Sequence, residues 1–176
     1  SIRGVKFDVR NLLFPAILSI ASVSASEVYF LDEIDPARIE QGFGVARIGR
    51  CVDGGPIVMG GKVYAKGIGT HSVGLIELNL DGKADEFSAV VGGSDRMKGK
   101  YCGFEFKVQG DCKTLWSSGV MTSDSLPQPV SVKLAGVKKL MLRVEDGGNG
   151  ISNDHANWAD ASIRYSGVAP KPGKTY

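Results

Sequence analysis

Apolar and polar residues alternate in short runs along most of the chain. Over residues 75–80, Ile76, Leu78 and Leu80 share one face while Glu77 and Asn79 take the other, the period-2 pattern of a half-solvated strand. The same reading predicts strands at 28–31, 63–68, 87–91, 101–108, 114–116, 130–134, 140–144 and 161–165, with Phe104, Phe106, Leu140 and Leu142 inside. Between them lie turn formers: Asp81-Gly82-Lys83, Gln109-Gly110-Asp111, Ala135-Gly136-Val137 and Gly147-Gly148-Asn149-Gly150. The one helical candidate, 35–41, is short. Strands at this spacing predict an all-β fold, an antiparallel two-sheet β-sandwich of jelly-roll type.

Composition adds a class and removes several. An apolar fraction of 43% with 23% charged residues is that of an ordinary globular protein, and 24 glycines suit a fold with many tight turns. A net charge of +2 with evenly scattered Lys and Arg argues against a nucleic-acid surface and favours a neutral ligand. Residues 1–25 read as a secretion signal peptide: Arg3, Lys6 and Arg10 form a basic start, 12–23 are uncharged and largely apolar, and Val23-Ser24-Ala25 offers small residues for cleavage. The other reading is a buried strand or helix opening the domain. The apolar stretch is short for a membrane span. The domain proper is expected at 26–166, followed by a Pro- and Lys-containing linker or tail at 167–176. Of the three cysteines, Cys102 falls in phase with Phe104 and Phe106 as a small buried hydrophobe, and nothing in the spacing of Cys51, Cys102 and Cys112 demands a disulfide or a zinc site.

Catalytic constellations are missing. There is no nucleophile elbow, phosphate-binding glycine loop or His-Glu-x-x-His helix, although a glycosidase needs only two carboxylates. Polar and aromatic residues concentrate instead at three expected strand ends. These are Lys66 to His71, the loop Gly92-Gly93-Ser94-Asp95-Arg96, and the stretch from Asp146 through Asp154-His155-Ala156-Asn157-Trp158-Ala159-Asp160. Carboxylates, amides and imidazoles bond hydroxyls in a fixed pattern while an aromatic face covers the apolar patch of a sugar ring. His71, Asp95, Arg96, Asp154, His155 and Trp158 are therefore the candidate carbohydrate-binding residues. Each also has a structural alternative: a turn cap for His71, a core position for Trp158, local backbone bonding for Asp154.

These blocks carry a resemblance. Val52-Asp53-Gly54-Gly55-Pro56-Ile57, the run from Gly60 to Ser72, Ser118-Gly119-Val120-Met121, and Asp146-Gly147-Gly148 with Asp154 to Ala161 resemble, in order, the motifs of NPCBM domains, carbohydrate-binding module family 51. The resemblance spans about 27–166. It implies a galactose-binding-domain-like jelly roll that recognises terminal, galactose-containing sugars, is not itself an enzyme, and serves an attached bacterial glycoside hydrolase. It also implies secretion, with a periplasmic or cell-surface location, and a structural Ca2+, for which Asp32 and Asp160, flanking the first and last expected strands, are the candidate metal ligands. Phe43, Asn157 and Gly93-Ser94 depart from the family pattern. A protein-interaction sandwich and a small glycoside hydrolase are the competing functions.

Overall fold

In the computed structural model, residues 24–173 are described. Their strands are β1 (Ser26–Phe30), β2 (Arg47–Ile48), β3 (Ile57–Met59), β4 (Lys62–Tyr64), β5 (Gly67–His71), β6 (Gly74–Asn79) and β7 (Ala84–Gly93), then β8 (Phe104–Gly110), β9 (Lys113–Met121), β10 (Gln128–Lys133), β11 (Lys139–Glu145), β12 (His155–Ser166) and β13 (Lys171–Pro172). One sheet runs β10-β7-β12-β5-β2 with β1 also on β12, the other runs β13-β6-β11-β8-β9, and β3-β4 is a separate hairpin. Every pairing is antiparallel. The two-sheet sandwich expected from alternation is the fold found, and Phe104, Phe106, Leu140 and Leu142 are fully buried in it.

Strand β12 organises the first sheet. Its first half pairs with β5 and its second half with β1, while β7 lies along its other side. A register shift between Ala159 and Ser162, with Asp160 at φ 47°, separates the halves, so two short strands share one edge of a long one. Because successive side chains point to opposite faces, Ala156 and Trp158 enter the core while His155, Asn157 and Ala159 take the outer face. The Trp158 ring meets Phe106 of the facing sheet edge-on at 5.0 Å and Phe87 at 5.9 Å. A second apolar layer, made of Cys51, Ile57, Met59, Tyr64 and Ala159, covers part of the outer face with the β3-β4 hairpin. Gly69 permits that cover, since a Cβ there would collide with the Arg50 carbonyl and the Cys51 Cα.

Several expectations are corrected. Residues 35–41 form no α-helix: Pro36–Arg38 is a single 3-10 turn whose start is capped by Asp35 accepting from the Ala37 N–H, and Ile39 is already extended. The expected strand at 63–68 breaks into β4 and β5, and β12 begins six residues before the predicted 161. Lys171 and Pro172, expected in a linker, pair with β6 as an edge strand. The proposed export signal lies outside the described residues except for Ser24 and Ala25. All three cysteines are free, with Cys51 and Cys102 buried and Cys112 exposed.

Replacing Trp158 by Ala should cost about 3–5 kcal/mol of unfolding free energy in urea titration, because it removes the ring that joins both sheets. A loss of under about 0.5 kcal/mol, the value for a surface position, would contradict the packing described.

Candidate functional site

Where β5 ends and β12 begins, the outer face of the first sheet is left open. There the cross-strand pair His71 and His155, joined in register, forms the floor of a cleft of about 400 Å³ whose other walls are Phe43, Ile151, Ser152 and Asn153. That volume lies at the small end of the range for small-molecule sites. The imidazole rings sit 5.6 Å apart, edge to face, and Phe43 leans over His71 at 5.2 Å. Phe43 is 62% exposed, an aromatic face turned to solvent at the mouth. None of the lining side chains is a carboxylate or an ammonium.

Each wall is held from behind. Phe43 rides on a loop fixed by Gln41, whose amide donates to the Phe43 carbonyl at 2.7 Å and accepts from Thr70 Oγ1 at 3.0 Å. Gly42 lets this loop seat against the turn after β5, where a Cβ would strike the Ser72 carbonyl. On the opposite side, Asn153 at φ 60° donates from its amide to the Tyr101 carbonyl at 2.9 Å. The Asn149 amide ties the preceding glycine loop together, donating to the Asp146 carbonyl at 2.7 Å. Beneath the floor lies Asp154, completely buried, accepting from Ser72 Oγ and from the Gly103 N–H at 2.9 Å. Burial pushes the Asp154 carboxyl above the ordinary aspartate range against the pull of those two donors.

The sequence-derived candidates thus separate. His71 and His155 line the cleft. Trp158 does not: lying three positions from His155 on a strand, it must face the other way, and it is 1% exposed in the core. Asp154 supports the floor without reaching the cleft. Asp95 clasps the β3-β4 turn by accepting from the Gly60 and Gly61 N–H groups at 2.8 and 2.7 Å. Burial raises its pKa, but those bonds and Lys98 outweigh it and hold the carboxyl below the ordinary aspartate value. Arg96 is paired with Asp53 at 3.2 Å and takes no part in the lining. Phe43, Ile151, Ser152 and Asn153 were not among the sequence candidates. A lone aromatic between Gly42 and Gly44 was the available signal for the first.

Asp32 and Asp160 both meet the segment joining β4 to β5. Asp32 Oδ2 accepts from the Gly67 N–H at 3.0 Å, and the Asp160 N–H donates to the Lys66 carbonyl at 3.0 Å. Asp32 Oδ1 is buried without a partner, an orphaned carboxyl oxygen that a hard cation would satisfy. No three His, Cys, Asp or Glu side chains converge among the described residues. A Ca2+ here would take one carboxylate oxygen from Asp32 and rely on backbone carbonyls for most of its shell, so the fit rests on Asp32.

Comparison with known proteins places this architecture. The profile described as the NPCBM/NEW2 domain matches residues 27–164. A putative endo-alpha-N-acetylgalactosaminidase of Renibacterium salmoninarum is 35% identical over 121 residues, covering 67% of this chain and 8% of that protein. Alpha-1,3-galactosidase B of Akkermansia muciniphila is 33% identical over 128 residues, covering 70% of this chain and 16% of its own length. The chain therefore spans a small part of these curated relatives. Among solved structures, the CBM51 of Clostridium perfringens GH95 in complex with methyl-galactose has a TM-score of 0.71 at 32% identity, covering 78% of this chain and 99% of that one. CBM51-2 of Clostridium perfringens ZmpB, solved with GlcNAc and the INT domains, has a TM-score of 0.72 at 31% identity, covering 80% and 32%. Since the matched span takes in most of the chain and every wall of the cleft, the chain belongs to the NPCBM/NEW2 domain family.

Proposed function

We propose that this chain is a non-catalytic carbohydrate-binding module that holds a terminal, galactose-type sugar in the Phe43–His71–His155 cleft and brings an attached glycoside hydrolase to its glycan. The observation that carries this reading is the exposed Phe43 ring beside two imidazoles in an uncharged cleft. Phe43 supplies an apolar platform for a sugar's C–H face, while the imidazoles, Ser152 and Asn153 supply hydrogen-bonding groups for hydroxyls. Hydrolysis needs two carboxyl groups about 5–10 Å apart across the bond, and the lining holds neither. The matched relatives support a hydrolase as the partner, and they support a bacterial, secreted or cell-surface setting. Among the described residues no helix is long and apolar enough to cross a membrane.

Calorimetry with methyl galactoside tests the site. Phe43→Ala and His155→Ala should each weaken binding by about 1–3 kcal/mol, roughly 5- to 150-fold. The exposed Phe43 variant should keep its stability within about 0.5 kcal/mol. Unchanged affinity in both variants would remove the cleft from sugar binding.

Ca2+ at Asp32 is the second part of the proposal. At free Ca2+ a hundredfold above its Kd, the folded state should gain about 2.7 kcal/mol, read as a rise in Tm that a chelator reverses. Asp32→Asn should abolish the Ca2+-dependent part of that shift. A Tm indifferent to both Ca2+ and chelator would eliminate the metal.

A further inference from the structure

The geometry assigns opposite and fixed hydrogen-bonding roles to the two imidazoles of the cleft: His71 presents a bare Nε2 that accepts, and His155 presents an Nε2–H that donates. The cleft then selects a neutral ligand that gives a hydrogen bond at one point and takes one at another, as a pair of sugar hydroxyls does. The ligand class rests on the function proposed above, but the assignment itself rests on the free protein.

His71 is fixed by its neighbour. Its Nδ1 lies 2.8 Å from the Ser72 carbonyl, and a carbonyl oxygen only accepts, so the ring proton sits on Nδ1. Ser72 is immobilised in turn, its Oγ donating to Asp154, which also takes the Gly103 N–H. Asp154 is thus a positioning residue acting through Ser72. Nε2 of His71 makes no hydrogen bond to any described residue, so it is left free for a ligand in the cleft.

His155 is fixed by what it lacks. Its Nδ1 is buried with no partner, so a proton there would be a buried donor without an acceptor. Unpaired buried N–H groups are rarer than underused acceptors, which places the proton on Nε2, toward the cleft.

Protonating either ring destroys the pair. A second proton on His71 converts its acceptor to a donor, and a second proton on His155 falls on the buried Nδ1. The charged groups that face His155 are Asp53 before β3 and Arg96 and Lys100 before β8, while Asp154 faces His71 and Asp146 in turn faces Asp154. Asp154 is engaged by Ser72 and Gly103, and Asp53 by Arg96. Burial, then the neighbouring His71, holds His155 below the ordinary histidine range. A depressed value means that His155 keeps its neutral form at neutral pH. It is lost as pH falls below about 6.5, the ordinary histidine value, toward the folded one.

The chain contains only 2 histidines, so both can be read directly. Long-range proton–nitrogen spectra of histidine-labelled protein at pH 7.5, assigned with His71→Gln and His155→Gln, should show a pyridine-like Nε2 in His71 and a pyridine-like Nδ1 in His155. The same tautomer in both rings would overturn the assignment. Methyl galactoside should bind more weakly once pH falls through the depressed His155 value, with no loss between pH 7.5 and about 6.5. His155→Gln, which keeps an N–H donor, should stay within about 5-fold of the parent, and His155→Phe should lose about 10-fold or more. Affinity that falls already between pH 7.5 and about 6.5, or a Phe variant as good as the parent, would overturn the selection. Opposed tautomers with no galactoside binding would refute the sugar reading while leaving the assignment supported.

Discussion

The alternation of β12 constrains everything else in the molecule. One strand runs through the middle of the first sheet and must satisfy two unlike faces at once, since residues an odd number apart point to opposite sides. Trp158 therefore anchors the contact between the sheets, while His155, three residues earlier, has its ring on the outside. A slip of one residue would expose the tryptophan and bury the imidazole. Antiparallel pairing to β7 over most of its length and to β5 and β1 on the other side makes such a slip costly, and the irregularity at Asp160 is confined beyond the functional half. The position of the cleft is thus a consequence of how the core is packed.

Charge in this region is spent on scaffolding. Asp95 holds the β3-β4 turn, Asp53 pairs with Arg96, and Asp154 ties Ser72 to Gly103, so the acidic groups near the cleft are engaged by donors outside it. What reaches the opening is aromatic, amide, hydroxyl and imidazole. The outer layer completes the arrangement. Cys51 packs beneath the hairpin with its sulfur within 3.5 Å of Pro56, Ser94 and Asn157 oxygens, and burial leads the causes that raise its thiol pKa, so it is an inert packing group.

The fold was readable because alternation survives without tertiary information. Ile76, Leu78 and Leu80 mark β6 and its faces unaided, and the ordered motifs from Val52 to Ala161 carry the family. The lining of the cleft was readable only in part. His71 and His155 stand out because histidine is rare in this chain and both fall in those motifs. Trp158 misled, because the polar stretch around it reads as a loop, and only the extension of β12 back to His155 reveals which way each side chain turns. Asp95 and Asp154 lie outside the cleft for a related reason: a carboxylate that caps backbone N–H groups has the same sequence signature as one that meets a ligand. Phe43 was missed because its role depends on Gly42 approaching the Ser72 carbonyl, a contact across about thirty residues that periodicity does not encode.

The size and neutrality of the cleft also limit what it can do alone. Each hydrogen bond exchanged with water contributes about 0.5–1.5 kcal/mol, and an aromatic platform adds a term of similar size. Two imidazole bonds and the Phe43 contact would therefore sum to about 2–4 kcal/mol, which corresponds to a Kd for a single sugar of roughly 1–30 mM. Such affinity is too weak to localise a free domain on dilute glycan. It is well suited to a tethered one, because a short linker supplies an effective concentration that is itself about millimolar and turns weak contacts into residence at a surface dense in sugars. Under the function proposed above, weak individual binding would also let the domain release and rebind as an attached enzyme consumed the glycan around it, which a cleft built on charged, bidentate contacts would resist.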